Sequence, residues 1–265
     1  MIHNIMNSKG TKLFIILGGF FIANALIAEV IGVKIFSFEQ TFGFQPLHIR
    51  FFGEDLSLNL TAGVLLWPVV FIMTDIINEY YGMKGVRFLS YLAAALITYA
   101  FIMFYGSMSL KPAGFFITSK QGSGVPDMQM AYGAVLGQGG KIIIGSLVAF
   151  IIGQLVDVVA FHKIKKITGE KKIWLRSTGS TLISQFIDSY VVLFIAFYIG
   201  TRVGNNPGDY VWSFKLFIAV GTINYLYKSG VAIILTPVIY LIHDRIEKYL
   251  GHETAKEMKD AALSD

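Results

Sequence analysis

The chain of 265 residues is 54% hydrophobic and only 15% charged, and its mean hydropathy is +0.61. Soluble domains carry about 25% charged residues, so this composition excludes an ordinary soluble enzyme and predicts an integral membrane protein. Cysteine is absent, which excludes disulfides, thiolate nucleophiles and cysteine metal sites. The formal net charge of +5 comes from cations in short loops, so we expect no nucleic acid to be bound directly.

Six apolar segments predict six transmembrane helices, at about residues 13–36, 57–81, 86–108, 136–161, 177–200 and 213–242. Residues 1–265 then form a single all-α polytopic domain in the lipid bilayer. We expect Pro68 to kink the second helix. The first apolar segment is too long for a cleaved signal sequence, so we expect it to be retained.

The loops predict the orientation of these helices. If the amino terminus is cytoplasmic, fourteen lysines and arginines fall on the cytoplasmic side and six on the outer side. This asymmetry follows the positive-inside rule and places both termini in the cytoplasm. Residues 162–176 form the most basic of the cytoplasmic loops. The charged tail, residues 243–265, is expected to be a cytoplasmic surface helix that frays, and residues 109–133 form a long loop with a re-entrant or surface segment.

Polar side chains inside the apolar segments are the candidates for function. Gln185 and Asp188 are three positions apart and share a helix face, and Gln154 and Asp157 repeat this pattern on the preceding helix. A charge at the centre of a membrane helix costs about 2.5–3.5 kcal/mol on insertion scales, so it is expected to face protein or water. The full set of candidate substrate-binding residues is Gln154, Asp157, Gln185, Asp188, Asn224, Lys228, Glu29, Asp75, Asn78 and Glu79.

Depth in the membrane divides these candidates. Asp188 and Lys228 fall near the midplane, where the alternative to a functional role is a structural ion pair between helices. Asp75, Glu79 and Asp157 fall near cytoplasmic helix ends, where interfacial charges or pairs with loop cations are the alternative.

The chemistry of the set suggests its ligand. A carboxylate accepts two parallel N–H groups, and amides both donate and accept, so the set suits the donor-rich edge of a guanine-like or amidine-like ring. The residues alone do not choose a purine over another small polar solute. No catalytic residue, cofactor or metal site is predicted.

Four motifs together resemble the queuosine precursor transporter family, also called the vitamin uptake transporter family. They are Thr74-Asp-Ile-Ile-Asn-Glu-Tyr-Tyr-Gly82, Gln154-x-x-Asp157, Ser184-Gln-Phe-Ile-Asp-Ser189 and Asn224-Tyr-Leu-Tyr-Lys228. The resemblance implies a six-helix importer in the bacterial inner membrane. The implied substrates are 7-deazaguanine bases, namely 7-cyano-7-deazaguanine, 7-aminomethyl-7-deazaguanine or queuine, which feed the tRNA modification queuosine.

Several alternatives stay open at this stage. The chain could be a transporter, or a substrate-binding subunit, for another small vitamin-like solute. An intramembrane aspartyl hydrolase would use Asp157 and Asp188. Proton coupling through Asp188 or Glu29 competes with facilitated diffusion, and Lys228 is expected to pair with one of these two carboxylates. The small residues Gly145, Ala149 and Gly153 fit either a homodimer or a contact within the chain.

Overall fold

The computed structural model describes residues 8–137, 140–168, 172–200, 202 and 211–263. Five helices are long and apolar enough to cross a membrane within that part of the chain. They are α1 (Lys9–Ile31), α3 (Trp67–Ser109), α6 (Gly140–Thr168), α7 (Ile173–Leu193) and α8 (Phe214–Leu250), and a π-helix, Phe194–Ile199, continues α7 to the end of its apolar span. The shorter elements are β1 (Ile35–Ser37), α2 (Phe38–Thr41), β2 (Ile49–Phe51), β3 (Glu54–Leu56), β4 (Asn59–Thr61), α4 (Gly114–Thr118), α5 (Met128–Leu136) and α9 (His252–Leu263).

Helix α3 is broken at Gly82, whose φ of 68° and ψ of −174° are not helical. We call its two arms α3a (residues 67–81) and α3b (residues 83–109). A Cβ built on Gly85 would lie 3.8 Å from Cγ2 of Ile77, whereas residues eight apart in a continuous helix are separated by about 12 Å. The chain therefore reverses at Gly82. The second and third helices predicted from the sequence are the two arms of this element.

Contacts between the helix ends show that α1 and α3a are antiparallel. At one end, the Tyr81 hydroxyl donates to the carbonyl oxygen of Gly10 at 2.7 Å. At the other end, a Cβ built on Gly63, just before α3, would lie 2.5 Å from the carbonyl oxygen of Ala28. The amino-terminal end of α1 and the carboxyl-terminal end of α8 also meet, because Lys9 Nζ donates to the Tyr249 carbonyl oxygen at 2.9 Å.

The remaining long helices alternate in direction. Thr74 and Asn78 of α3a bind Gln154 and Val158 of α6, in the same order along both helices, so these two run parallel. Contacts of α7 run in reverse order along α6 and along α8, so α7 is antiparallel to both. The result is a bundle whose polar side chains meet among α3a, α6, α7 and α8, with an apolar core formed mainly by α1 and α3.

Several predicted boundaries were wrong. The second helix begins at Trp67 rather than at residue 57, because β4 pairs with β1 and a 3-10 turn, Ala62–Leu65, follows it. Pro68 consequently lies in the first helical turn, where its missing N–H breaks no helical bond and no kink results. The basic loop predicted at residues 162–176 is largely helical, because α6 continues to Thr168 and α7 begins at Ile173.

The polar segment between α1 and α3 folds into a small cap. Strands β2 and β3 form a hairpin, and the buried carboxylate of Glu39 accepts hydrogen bonds from Ser37 Oγ and from the N–H groups of Leu47 and Leu58. Burial acts to raise the pKa of Glu39, but these hydrogen bonds outweigh it and hold the pKa below its ordinary value. The ring of Phe38 lies 5.8 Å from that of Tyr227, so the cap rests on α8.

The carboxyl-terminal tail packs against the helix bundle. Helix α8 continues to Leu250, the chain turns at Gly251 (φ 90°), and α9 follows. Ala255 and Ala262 are buried, and α9 packs against α3 and α8. Lys259 of α9 also pairs with Glu247. The tail is a helix with a mostly exposed surface, as predicted. The expectation that it frays was wrong, because the small apolar face of α9 is covered.

The loop at residues 109–133 carries short helices of its own. Helix α4, a 3-10 turn and most of α5 lie within it. The Tyr132 and Ser107 hydroxyls hydrogen-bond at 2.9 Å, and Gln129 Nε2 donates to the Met108 carbonyl oxygen at 3.2 Å. The segment is thus attached to the end of α3b, and the fourth long helix begins at Gly140 rather than at residue 136.

Candidate functional site

A cavity lies between α3a, α7 and α8. The space between its walls, counted together with the solvent in its open mouth, amounts to about 410 Å³, and the part that admits a water molecule is only about 30 Å³, so a ring-sized ligand requires the walls to move apart. Its walls are Trp67, Pro68, Phe71, Ile72, Asp75, Ser177, Thr178, Thr181, Gln185, Lys228, Ala232, Leu235 and Ile239. An apolar cavity with a few convergent polar groups is the usual form of a small-molecule site.

Gln185 is a buried polar residue of this wall, and its whole amide group lacks a hydrogen-bond partner. Its side chain is 2% exposed, and neither its Oε1 nor its Nε2 is hydrogen-bonded within the described part of the chain. A buried polar group left without a partner costs about 1–3 kcal/mol. Helix α7 holds this amide at the cavity wall, where a bound ligand can satisfy it.

Asp188, one turn further along α7, forms an ion pair with Lys228 of α8. Its Oδ2 lies 2.6 Å from Lys228 Nζ, and the two side chains are 18% and 14% exposed. Gly153 of α6 makes room for this pair, since a Cβ built there would lie 3.4 Å from the Asp188 Cβ. The pairing of Lys228 with Asp188 that the sequence suggested is present, and Lys228 also reaches the cavity wall.

Glu29 lies close to this ion pair. It is buried on α1 and accepts a hydrogen bond from the Ser146 hydroxyl of α6. Its carboxyl group is near enough to that of Asp188 for the two to repel each other. Asn224 is half-buried one turn before Lys228, and it is not among the residues that line the cavity.

A second polar layer lies deeper, between α3a, α6 and α7. Asp75 and Asp157 are both buried, and their carboxylates accept hydrogen bonds from Ser177 and Ser184, the latter at 3.0 Å. Gln154 Oε1 accepts from the Thr74 hydroxyl at 2.9 Å. Of this layer, Asp75 also reaches the cavity wall, so the two layers meet at its carboxyl group.

The remaining two candidates hold helices together. Asn78 Nδ2 donates to the Val158 carbonyl oxygen at 3.3 Å. Glu79 Oε1 lies 2.7 Å from Nη2 of Arg176, and Glu79 Oε2 lies 3.4 Å from Nζ of Lys165. These ionic side chains are almost fully buried. Glu79 is therefore the centre of a cluster of charges rather than an exposed interfacial residue.

Sequence reasoning missed part of the cavity. The hydroxyl groups of Ser177 and Thr181 line the cavity. Together with Ser184, which binds Asp157 outside the cavity wall, they follow the face of α7 that carries Asp188. Their spacing of four and three residues was the available signal, since such positions share one helix face. The aromatic wall formed by Trp67 and Phe71 was missed because both residues fit the hydrophobic pattern of any membrane helix.

The chain is similar to one protein family and to its named members. Residues 61–242 match the family described as "Putative vitamin uptake transporter". A Bacillus subtilis (strain 168) protein named "Probable queuosine precursor transporter" is 32% identical over 189 residues, covering 71% of this chain and 73% of the relative. The Escherichia coli (strain K12) "Queuosine precursor transporter" is 25% identical over 179 residues, 68% of this chain and 70% of that protein. No solved structure matches.

Proposed function

The chain belongs to the vitamin uptake transporter family, and from this premise we propose that it imports 7-deazaguanine bases across the bacterial inner membrane. The candidate substrates are 7-cyano-7-deazaguanine, 7-aminomethyl-7-deazaguanine and queuine. The two relatives reported above carry the names "Probable queuosine precursor transporter" and "Queuosine precursor transporter", and the imported base would supply the tRNA modification queuosine.

The family and its named members are transporters, so the chain is a transporter and not an enzyme. The aspartyl hydrolase alternative is thereby excluded. The geometry agrees, because Asp188 is held by Lys228 whereas Asp157 is held by Ser184. A hydrolase of this type needs its two carboxyl groups to share one proton across a direct contact.

The observation that carries the proposal is the unpartnered amide of Gln185 in the cavity wall. A membrane interior provides no water to satisfy such a group. An amide presents a donor and an acceptor side by side, which matches the N–H and C=O groups on the edge of a lactam ring. A 7-deazaguanine base carries that edge.

The other walls of the cavity suggest how the base is held. Asp75 would accept the ring N–H groups, which a carboxyl group can take in pairs. Lys228 would face the carbonyl oxygen of the ring, drawing its ammonium group partly away from Asp188. Trp67 and Phe71 supply an aromatic surface for the ring face. Gln154, Asp157 and Asn78 would position the first layer from behind, with Glu29 and Asn224 beside the Asp188 pair.

We further propose that the chain crosses the membrane six times with both termini in the cytoplasm. The 43 residues of α3 would measure about 64 Å as a straight helix, twice the ~30 Å of a hydrocarbon core. The reversal at Gly82 turns this length into two crossings. Six crossings return the chain to the side on which it started, in agreement with the contact between Lys9 and Tyr249.

An uptake assay in living cells tests the proposed function. Bacteria that can neither make nor import deazaguanine bases would express this chain and receive each base at low concentration. Queuosine in their tRNA would be read from its mobility shift. We expect rescue by the wild type and none by Gln185→Leu. The matched control is Gln129→Leu, the same change at an amide bonded to Met108 outside the cavity, which should retain rescue.

Comparing the two variants distinguishes a role of Gln185 in binding from a general effect of replacing glutamine by leucine. Loss of rescue in Gln185→Leu alone, at equal amounts of folded protein, supports the cavity as the binding site. Equal rescue by both variants would refute the assigned role of Gln185. No rescue by wild-type protein with any of the three bases would overturn the deazaguanine assignment and favour another vitamin-like solute.

A further inference from the structure

Asp75 and Asp157 form a pair of carboxyl groups deep in the bundle. They are 1% and 0% exposed. The Ser180 side chain lies against both of them, and Ser177 and Ser184 each donate to one. One oxygen of each, Asp75 Oδ1 and Asp157 Oδ2, has no hydrogen-bond partner in the described chain. Each carboxyl group therefore keeps one oxygen without a proton donor.

The charged groups around this pair bind other partners, although one carboxylate facing two cations leaves the Glu79 cluster with one positive charge in excess. Glu79, on the same helix as Asp75, faces Arg176 of α7 and Lys165 of α6. Lys228 of α8, which lines the cavity with Asp75, is bound at 2.6 Å to Asp188 of α7. Among the residues that the structure describes, no salt bridge reaches Asp75 or Asp157.

Ionising both of two neighbouring carboxylates that no cation contacts is costly in a low-dielectric interior, because desolvation and mutual repulsion both favour a proton on one of them. We propose that Asp75 and Asp157 hold one shared proton and form the site that couples the movement of the base to a proton. This inference rests on the proposed function for its coupling role, whereas the bound proton can be tested without any substrate. Binding of the base in the cavity does not itself require an ion.

The position of Asp75 connects the proton to the cavity. Its carboxyl group belongs to the cavity wall and also to the buried pair. When the N–H groups of a base donate to Asp75, this residue acts as the acceptor and the proton resides on Asp157. The unpartnered amide of Gln185, 2% exposed on the same wall, binds the same ligand. Base and proton then occupy the protein together, enter from the outer side and leave together on the inner side.

The bound proton can be detected by infrared spectroscopy of the purified full-length protein near pH 7. A protonated carboxyl group has its own carbonyl band, which shifts in heavy water. We expect this band in the difference between the wild type and Asp75→Asn/Asp157→Asn. The matched control is Asp244→Asn/Glu253→Gln, which changes two exposed carboxylates of α8 and α9 and should give no such band. If the double variant unfolds, Asp157→Asn alone should still move the band.

Coupling is tested in vesicles that contain the wild-type protein and a trapped pH indicator. Adding a transported base outside should acidify the interior, and Asp157→Asn should abolish this acidification while the protein stays folded. Uptake with an unchanged interior pH, or uptake that requires Na⁺ instead, would overturn the proton-coupling role. Absence of the infrared band would overturn the shared proton. If the wild type transports none of the bases, the proposed function fails, and the infrared band alone decides whether the pair holds a proton.

Discussion

We predict that the variant Glu79→Gln strongly lowers the free energy of unfolding, because Glu79 lies in a buried cluster of charges. The carboxylate of Glu79 lies 2.7 Å from Arg176 Nη2 and 3.4 Å from Lys165 Nζ. The side chains of Glu79, Arg176 and Lys165 are 0%, 1% and 4% exposed. A neutral amide would leave two buried cations without a counterion.

The size of the effect follows from this burial. Removing one partner of a buried ion pair costs about 3–5 kcal/mol, because the remaining charge keeps its desolvation penalty. The matched control is Asp244→Asn on the outside of α8. Asp244 pairs with Lys248 at 2.7 Å, but these side chains are 50% and 69% exposed, and exposed pairs of this spacing contribute about 0.3–0.5 kcal/mol. We therefore expect at least a fivefold difference between the two free-energy changes.

The assay is the free energy of unfolding in detergent, followed by helical circular dichroism. A third variant, Glu79→Gln/Arg176→Met, removes a cation together with its partner. It should recover part of the loss, because replacing a buried ion pair by apolar groups is often neutral. Our reasoning would be refuted if Glu79→Gln were no less stable than Asp244→Asn, or if the effects of the two substitutions were simply additive.

Three further predictions concern other parts of the chain. Gln185→Leu should raise the unfolding free energy by about 1–3 kcal/mol, since it removes an unsatisfied buried amide, while base binding measured by isothermal calorimetry is lost; lower stability would contradict this. Gly82→Ala should lower the free energy of unfolding by about 1–3 kcal/mol, because Gly82 has a positive φ. Gly230 lies in a helix with open space around it, so Gly230→Ala should raise the free energy of unfolding by about 0.5–1 kcal/mol. Thermal unfolding of the two variants measures this difference. At pH values above the ordinary pKa of 4.5, the ionised carboxylate of Glu39 stabilises the cap. This contribution should be lost as the pH falls through the lower pKa that Glu39 has in the folded protein. Hydrogen exchange at the Leu58 amide, corrected for its intrinsic pH dependence, should show the loss in wild type but not in Glu39→Gln.

Hydropathy alone predicted most of the membrane-spanning helices because apolar length is a local property of the sequence. The turn after Tyr81 was also predictable, since Gly82 and the cations that follow it interrupt an apolar run. The start of the second helix was not predictable, because it depends on β4 pairing with β1 across an intervening segment. Strand pairs of three residues give little periodic signal.

The sequence predicted which helix face carries the candidate site, but not how deeply each of its residues is buried. The spacing of Gln185 and Asp188 indicates a shared polar face, and the structure shows Lys228 paired with Asp188, one of the two carboxylates that the sequence suggested. Arg176 and Lys165 were assigned to a basic loop, because their burial depends on Glu79, which lies 97 residues before Arg176. The pairing of Glu79 with loop cations was one of the alternatives that the sequence left open, but a single sequence does not identify which cations are buried with it. The same limit applies to Asp75, which reaches both the cavity and the buried pair.

The reversal at Gly82 also determines which helices can move independently. Helix α1 packs along both arms of α3. We therefore expect these three helical segments to move together as one rigid body. The cavity can widen when α8 moves away from that body, because α8 forms the opposite wall. We expect distance measurements between spin labels to show the gap between α3a and α8 changing with the bound base, while the gap between α3a and α3b stays constant.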